Sequence, residues 1–208
     1  MRPTSSKAPQ FHEIHLLEYS VPAFAPVASK EDLHRVKILL SEEQLRQGVE
    51  RLAREITEHY GHRPVTIIGI LTGSVVLLAD LIRQLDMPLR VGVIQARSYR
   101  GDATTPGPLS VHADLLPEVA DCDVLLVDDI FDSGQTLERI IGQLNALGPR
   151  SVRSVVLLRK ARSRETAIEP DHVAFEIPDE FVVGFGLDYH DAYRNLPYLA
   201  VLEEAELG

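Results

Sequence analysis

The sequence predicts an α/β domain in which a mostly parallel central sheet is flanked by helices. Short apolar runs alternate along the chain with segments whose apolar residues repeat at helical spacing. Strands separated by helices in this way lie parallel in one sheet. The chain has 208 residues, 45% of them hydrophobic, which is enough for one domain with a substantial core.

The N-terminal part of the chain divides into an extension and the start of this domain. Residues 1–30 are rich in Pro, Ala and Ser, so we expect a partly flexible extension, and we assign residues 31–208 to the domain. Ser41 offers a helix N-cap, and Gln44, three residues on, completes a capping box. The helical repeat that follows should end at Gly61.

The other elements follow from the apolar runs and the breakers between them. A second helix should run to about Leu85, and a third should follow the turn at 132–136 and end at Gly148. Residues 99–110 contain two Pro and two Gly and should form a long polar loop. The expected strands are residues 35–40, 65–71, 90–96, 124–127, 152–158 and 181–185.

Charge and composition limit the possible functions. The net charge of −10 argues against a nucleic-acid-binding surface, although a local pocket can still bind a small anion. Cys122 is the one cysteine, so no disulfide can form within the chain, which fits a reducing cytoplasm. No run approaches the ~20 apolar residues of a membrane span, and no signal-peptide pattern opens the chain. We therefore expect a cytoplasmic protein that binds neither nucleic acid nor a membrane.

The most informative segment is residues 124–137, which read Val-Leu-Leu-Val-Asp-Asp-Ile-Phe-Asp-Ser-Gly-Gln-Thr-Leu. A buried strand leads to the acidic pair Asp128 and Asp129, and the polar turn 132–136 opens a helix. In open α/β sheets, ligands bind beyond the carboxyl ends of strands. The turn suits a phosphate monoester, and the acidic pair suits ribose hydroxyls and a hard cation such as Mg²⁺. The segment therefore predicts a site for a phosphorylated ribose; an acidic helix cap without a ligand is the alternative.

This segment resembles the 5-phosphoribosyl-1-pyrophosphate (PRPP) signature of the type I phosphoribosyltransferases. The resemblance implies their fold, with a small hood built largely from the C-terminal segment over the mostly parallel sheet. It implies that Asp132 is the general base and that Asp128 and Asp129 hold the ribose hydroxyls and Mg²⁺. It also implies that the 5-phosphate is held by Ser133, Gly134, Gln135 and Thr136, with Gln135 standing where many relatives have Lys.

Two further segments gain a function from the same resemblance. The turn at Thr72 and Gly73 could be a plain strand-to-helix connection, but it resembles the pyrophosphate loop of purine phosphoribosyltransferases. That loop often holds a non-proline cis peptide, which would fall between Leu71 and Thr72, and some relatives carry Lys where this chain has Thr72. The loop 99–110 would be a lid that begins at Ser98 and Tyr99 and excludes water; a flexible surface loop is the alternative.

The C-terminal stretch from Phe175 to Pro197 resembles the purine-binding region of hypoxanthine-guanine phosphoribosyltransferases. The resemblance implies that Phe181 stacks on the purine and that the backbone of Val182 and Asp188 accepts its hydrogen bonds. Lys160, which alone would be taken for a solvated strand end, would donate to the 6-oxo group and so favour hypoxanthine or guanine over adenine. Asp188 would ligate a second Mg²⁺, and Arg194 would pair with pyrophosphate.

The sequence hypothesis is therefore an enzyme of purine salvage. It would transfer the phosphoribosyl group of PRPP to N9 of hypoxanthine and guanine, would require Mg²⁺, and would form a homodimer or homotetramer. One alternative is a xanthine-preferring enzyme of the same fold. Another is a PRPP-sensing regulator that binds nucleic acid, against which the acidic charge, Asp132 and the purine-binding stretch all argue.

Overall fold

The computed structural model describes residues 37–98, 109–112, 115–161 and 166–202, and the chain folds there into two sheets with helices. The predicted boundary between residues 1–30 and the domain lies outside these ranges and stays a prediction. The elements in chain order are β1 (Lys37–Leu40), α1 (Glu42–Tyr60), β2 (Val65–Leu71), α2 (Val75–Ile82), β3 (Leu89–Ser98), β4 (Leu109–His112), β5 (Asp123–Phe131), α3 (Gln135–Asn145), β6 (Ser151–Lys160), β7 (His172–Ile177), β8 (Val182–Val183) and β9 (Leu199–Val201).

The larger sheet confirms the predicted α/β class. Its strand order is β4-β3-β2-β5-β6-β7. The parallel strands are β3, β2, β5, β6 and β7, whereas β4 runs antiparallel to β3 at one edge. β5 is buried on both faces: Leu125 and Val127 join the apolar cluster beneath α1 and α2, and Val124 and Leu126 join the cluster beneath α3. None of the described helices is long and apolar enough to cross a membrane.

A three-stranded antiparallel sheet, in the order β1-β9-β8, forms the hood. Two of its strands come from the C-terminal segment, as the resemblance implied, and β1 adds an N-terminal strand. α1 also begins and ends as predicted. Ser41 Oγ accepts a hydrogen bond from the Gln44 N–H at 3.3 Å, Gln44 Oε1 accepts one from the Ser41 N–H at 2.9 Å, and Gly61 caps the C-terminus.

Several predicted bounds were wrong. α2 ends at Ile82 rather than near Leu85. Residues 109 and 110 belong to β4, not to a loop, because they pair with the end of β3. The last predicted strand, residues 181–185, shortens to the two residues of β8, because Gly184 has a φ of +98° and turns the chain back. The acidic pair lies inside β5, which continues to Phe131.

Tyr60, at the end of α1, gives a test of the core. Its side chain is 2% exposed, its hydroxyl has no hydrogen-bond partner among the described residues, and burial raises the pKa of Tyr60 to about 12. Replacing Tyr60 with Phe removes a buried, unsatisfied hydroxyl, so the free energy of unfolding at pH 7 should hold or rise by about 1 kcal/mol. Urea unfolding of both proteins measures this change.

The free energies of unfolding of the wild type and of Tyr60→Phe should differ more at alkaline pH. The unfolded chain ionises Tyr60 near its ordinary pKa of about 10, and the folded protein does so only near 12. The contribution of Tyr60 to stability is therefore complete below the lower value and is lost as the pH rises toward the higher one. The stability of Tyr60→Phe should therefore fall less at alkaline pH than that of the wild type. An identical fall in both proteins would contradict the raised pKa of Tyr60.

Candidate active site

A cleft of about 290 Å³ lies at the carboxyl ends of β2 and β5. Parallel strands present their carboxyl ends at one edge of a sheet, so segments far apart in sequence meet there. Residues predicted from separate motifs line the same cleft, namely Thr72, Gly73, Asp128, Asp129, Asp132, Ser133, Gly134, Thr136, Asp188 and Arg194. Gln135, Lys160, Phe181 and Val182 lie outside its walls.

The acidic pair is the most buried charged part of the cleft. Asp128 is 8% exposed and its Oδ1 accepts a hydrogen bond from the Asp129 N–H at 3.1 Å, while Asp129 Oδ1 accepts one from the Ile130 N–H at 2.8 Å. Burial raises the pKa of Asp128 well above its usual range, and the neighbouring charge of Asp129 raises it further. Two adjacent carboxylates, of which Asp128 is buried and Asp129 partly buried, resist joint ionisation and suit a hard cation such as Mg²⁺, which would supply the missing positive charge.

The described residues alone do not complete a metal centre. Among the described residues, no three Asp, Glu, His or Cys side chains come together as a metal-binding group. Asp188 is held by Arg194, whose Nη2 is 2.9 Å from Asp188 Oδ1. A Mg²⁺ ion at Asp128 and Asp129 would need further oxygens from a bound phosphate compound and water, which is the usual way that Mg²⁺ binds in such sites.

The turn after β2 packs directly on the acidic pair. The Leu71–Thr72 peptide is cis, as the resemblance implied. A Cβ added at Gly73 would overlap Asp129 Oδ2, and one added at Gly186 would overlap the Gly73 carbonyl oxygen. Glycine at position 73 therefore allows the carboxylate and the turn to share one wall of the cleft. Arg194 closes this end, since its Nη1 donates to the Gly186 carbonyl at 2.8 Å.

The turn before α3 has the geometry of an anion site at a helix N-terminus. Gly134 has a φ of +87°, a conformation that favours glycine, and it directly precedes Gln135 at the start of α3. A Cβ at Gly134 would overlap Thr166 Oγ1, so Thr166 backs this turn. The sequence reasoning missed Thr166, because no local pattern shows a contact across 32 positions.

Three charged residues lie at the ends of β5, β6 and β7: Asp132, Lys160 and Asp179. We call this group the charge row. The Lys160 Nζ is 3.2 Å from Asp179 Oδ1 and 3.7 Å from Asp132 Oδ2. The Lys160 side chain is 12% exposed, so it is not a solvated strand end. Asp179 was not predicted as a site residue, although it lies in the C-terminal stretch that resembles a purine-binding region.

The remaining predicted residues border the cleft or lie outside the described ranges. Phe181 is 37% exposed and its ring meets Tyr189 edge to face, with centroids 5.5 Å apart. Val182 is buried in β8 opposite Val201. Ser98 is the last residue of β3, and Tyr99 with residues 100–108 lies outside the described residues, so the predicted lid remains a prediction.

Comparison with known proteins agrees with this geometry. The family model of the phosphoribosyl transferase domain matches residues 35–190. A hypoxanthine-guanine phosphoribosyltransferase from Staphylococcus epidermidis is 40% identical over 166 residues, which are 80% of this chain and 93% of that protein. The chain belongs to the phosphoribosyltransferase family, within its hypoxanthine-guanine group. Both the fold and the membership predicted from the sequence are confirmed.

Other members of the family extend the comparison. A crystal structure of a hypoxanthine-guanine phosphoribosyltransferase from Bacillus anthracis, with HEPES in its active site, superposes with a TM-score of 0.76 at 35% identity and covers 80% of this chain and 98% of that one. The bifunctional protein TilS/HprT of Listeria innocua is 36% identical over 188 residues, or 89% of this chain. The phosphoribosyltransferase described here spans only 29% of the length of that bifunctional relative.

Proposed function

We propose that this phosphoribosyltransferase transfers the 5-phosphoribosyl group of PRPP to N9 of hypoxanthine and guanine, giving IMP or GMP and pyrophosphate. The observation that carries the proposal is the meeting of three segments in one cleft: the turn 132–136, the acidic pair 128–129 and the turn at 72–73. These segments offer separate places for a 5-phosphate, a ribose diol and a pyrophosphate. The named hypoxanthine-guanine relatives support the same reaction.

The 5-phosphate, the ribose and the pyrophosphate of PRPP would bind at three different places along the cleft. The 5-phosphate would lie at the N-terminus of α3, held by Ser133, Gly134, Gln135 and Thr136. Asp128 and Asp129 would hold the ribose hydroxyls and Mg²⁺, and Thr72, Gly73 and Arg194 would hold the pyrophosphate, with Asp188 available to a second Mg²⁺. When bound, Mg²⁺ would supply charge neutralisation of the pyrophosphate as it leaves.

The purine would dock beside the charge row. Asp132 would accept the proton from purine N7 while N9 bonds to the ribosyl carbon and the bond from that carbon to pyrophosphate breaks. Lys160 would donate to the 6-oxo group, Phe181 would stack on the ring, and the backbone of Val182 and Asp188 would accept hydrogen bonds from the base. A lid that begins at Ser98 and Tyr99 would exclude water, the competing nucleophile.

Assembly and cellular location complete the proposal. A single cysteine and the absence of a membrane-spanning helix among the described residues are compatible with the proposed cytoplasmic enzyme. We keep the homodimer or homotetramer as a proposal, along with PRPP and a 6-oxopurine as the substrates. The relatives named as hypoxanthine-guanine phosphoribosyltransferases lend no support to a xanthine-preferring enzyme. They lend none to a nucleic-acid-binding regulator either, and the net charge of −10 also argues against it.

Steady-state rates with PRPP and each of four bases test the function. We expect turnover of hypoxanthine and guanine, weak turnover of xanthine and adenine, and loss of activity in excess chelator, because Asp128 and Asp129 need a cation beside a pyrophosphate. Restoring Mg²⁺ after chelation is the control and should restore the rate. Full turnover in chelator would refute the metal requirement, a preference for xanthine would select the first alternative, and no nucleotide formation from any base would refute the enzyme assignment.

A further inference from the structure

In the charge row, the Lys160 side chain is less exposed to solvent than the two Asp side chains. The side chain of Lys160 is 12% exposed, whereas those of Asp132 and Asp179 are 42% and 47% exposed. An ammonium group that is largely removed from water needs a close counter-ion. Asp179 is the nearer of the two carboxylates, at 3.2 Å against 3.7 Å for Asp132.

The backbone fixes Asp179 at this distance from Lys160. β6 and β7 pair in parallel with Lys160 opposite Ile177, so the two strands stay in register to their ends. The chain then turns, and the Glu180 N–H donates to the Pro178 carbonyl at 2.9 Å. Asp179 sits within this turn, two residues after the last residue of β7.

We propose that Asp179 is a positioning residue that sets the purine selectivity of this site, an inference that rests on the proposed function. A lysine ammonium has three N–H donors. The Asp179 carboxylate, 3.2 Å away, attracts one of these donors, and Asp132 at 3.7 Å lies beyond hydrogen-bond distance, so a further donor remains for the carbonyl oxygen of a 6-oxopurine. A 6-amino purine presents hydrogens at that point and leaves the donor unsatisfied, so it binds less well.

Asp179 also prevents Lys160 from closing onto Asp132. Without the Asp179 charge, attraction would draw the Lys160 ammonium toward Asp132 Oδ2, now 3.7 Å away. The ammonium would then turn away from the purine and cover the carboxylate that should take the proton from N7. Asp179 thus acts on both purine binding and proton transfer through Lys160, without touching the purine.

The kinetic test uses Asp179→Asn, with Asp179→Glu as the conservative variant and Glu176→Gln as a matched control. Glu176 forms an ion pair with Arg159, the residue directly before Lys160, across the same two strands. Unlike the pair of Lys160 and Asp179, it involves no deeply placed ammonium, and the Glu176 side chain is 64% exposed. For Asp179→Asn we expect the KM for hypoxanthine to rise about tenfold while the KM for PRPP stays within about twofold. Its preference for hypoxanthine over adenine should fall by a similar factor, Asp179→Glu should recover most of the loss, and Glu176→Gln should match the wild type.

Either of two kinetic results would overturn the proposal. In the first, Asp179→Asn has the same hypoxanthine KM and the same selectivity as Glu176→Gln. In the second, the KM values for hypoxanthine and PRPP rise together, which indicates a general disturbance of the cleft rather than a misplaced Lys160.

A thermal double-mutant cycle tests the ion pair independently of activity. Asp179→Asn should lower Tm by about 2–4 °C, because it leaves a buried ammonium with a weaker counter-charge. Combining it with Lys160→Met should recover part of that loss, since the ammonium is then gone. Additive changes in Tm would refute the positioning role even if the wild type is active. A wild type that makes no nucleotide would instead refute the proposed function, whatever the cycle shows.

Discussion

Replacement of Asp132 by Asn should lower kcat by about 10²–10⁴-fold while PRPP still binds. Asn keeps the size and much of the hydrogen bonding of Asp, but it cannot accept a proton from the purine. Asp132 lines the cleft directly after β5, and its Oδ2 lies 3.7 Å from the Lys160 ammonium. Because the same group must return the proton, the reverse reaction should slow as well. Single-turnover rates in both directions and a PRPP binding titration measure these effects.

The competing explanation is that Asp132 only stabilises the start of α3. The structure weakens it, because α3 begins at Gln135 and its N-cap is Gly134, two residues after Asp132. Glu138→Gln is a matched control: it removes an exposed carboxylate from the first turn of α3 and should change stability by about 0.3–1 kcal/mol with kcat unchanged. If Asp132→Asn behaved like Glu138→Gln, with a lower Tm and nearly normal turnover, the catalytic assignment would be wrong.

The elements that could be predicted from the sequence are those whose signal is local. α1 is bounded by a capping box at Ser41 and by Gly61, and both are short-range patterns. β5 was recognisable because four consecutive apolar residues, 124–127, are buried on the two faces of one strand. β9 was missed because it has only three residues and is defined by its pairing with β1 and β8. β7 has six residues, but only Ala174 and Ile177 are buried, so no long apolar run marks it.

The candidate site divides in the same way. The residues 128–136 were predicted together because one strand and one turn carry them all. The low exposure of Lys160 and its ion pair with Asp179 were not predictable, since both are known only once β6 and β7 pair. The contact of Thr166 with Gly134 likewise arises only when the chain folds. Motifs therefore nominate the residues of a candidate site, and the tertiary contacts determine how those residues are held.

Gly73→Ala should lower kcat/KM for PRPP by about 10²-fold without unfolding the protein. The added Cβ would overlap Asp129 Oδ2, so the carboxylate must leave its place beside the turn at Thr72. Asp129 is short and its Oδ1 already accepts a hydrogen bond from the Ile130 N–H, so it cannot move without changing the proposed ribose end of the cleft. Steady-state kinetics with varied PRPP, together with Tm, measure the loss.

Two further variants separate this effect from a general cost of replacing glycine. Gly142 lies in α3, and apart from its own helix backbone no atom of the described residues is within 4 Å of an added Cβ, so Gly142→Ala should keep the kinetics and raise stability by about 0.5–1 kcal/mol. In an Asp129→Ala background, Gly73→Ala should add little further loss, because the group it displaces is already gone. Full additivity of the two changes in kcat/KM would contradict the coupling. It would mean that alanine at position 73 harms PRPP binding through the turn itself rather than through the Asp129 carboxylate.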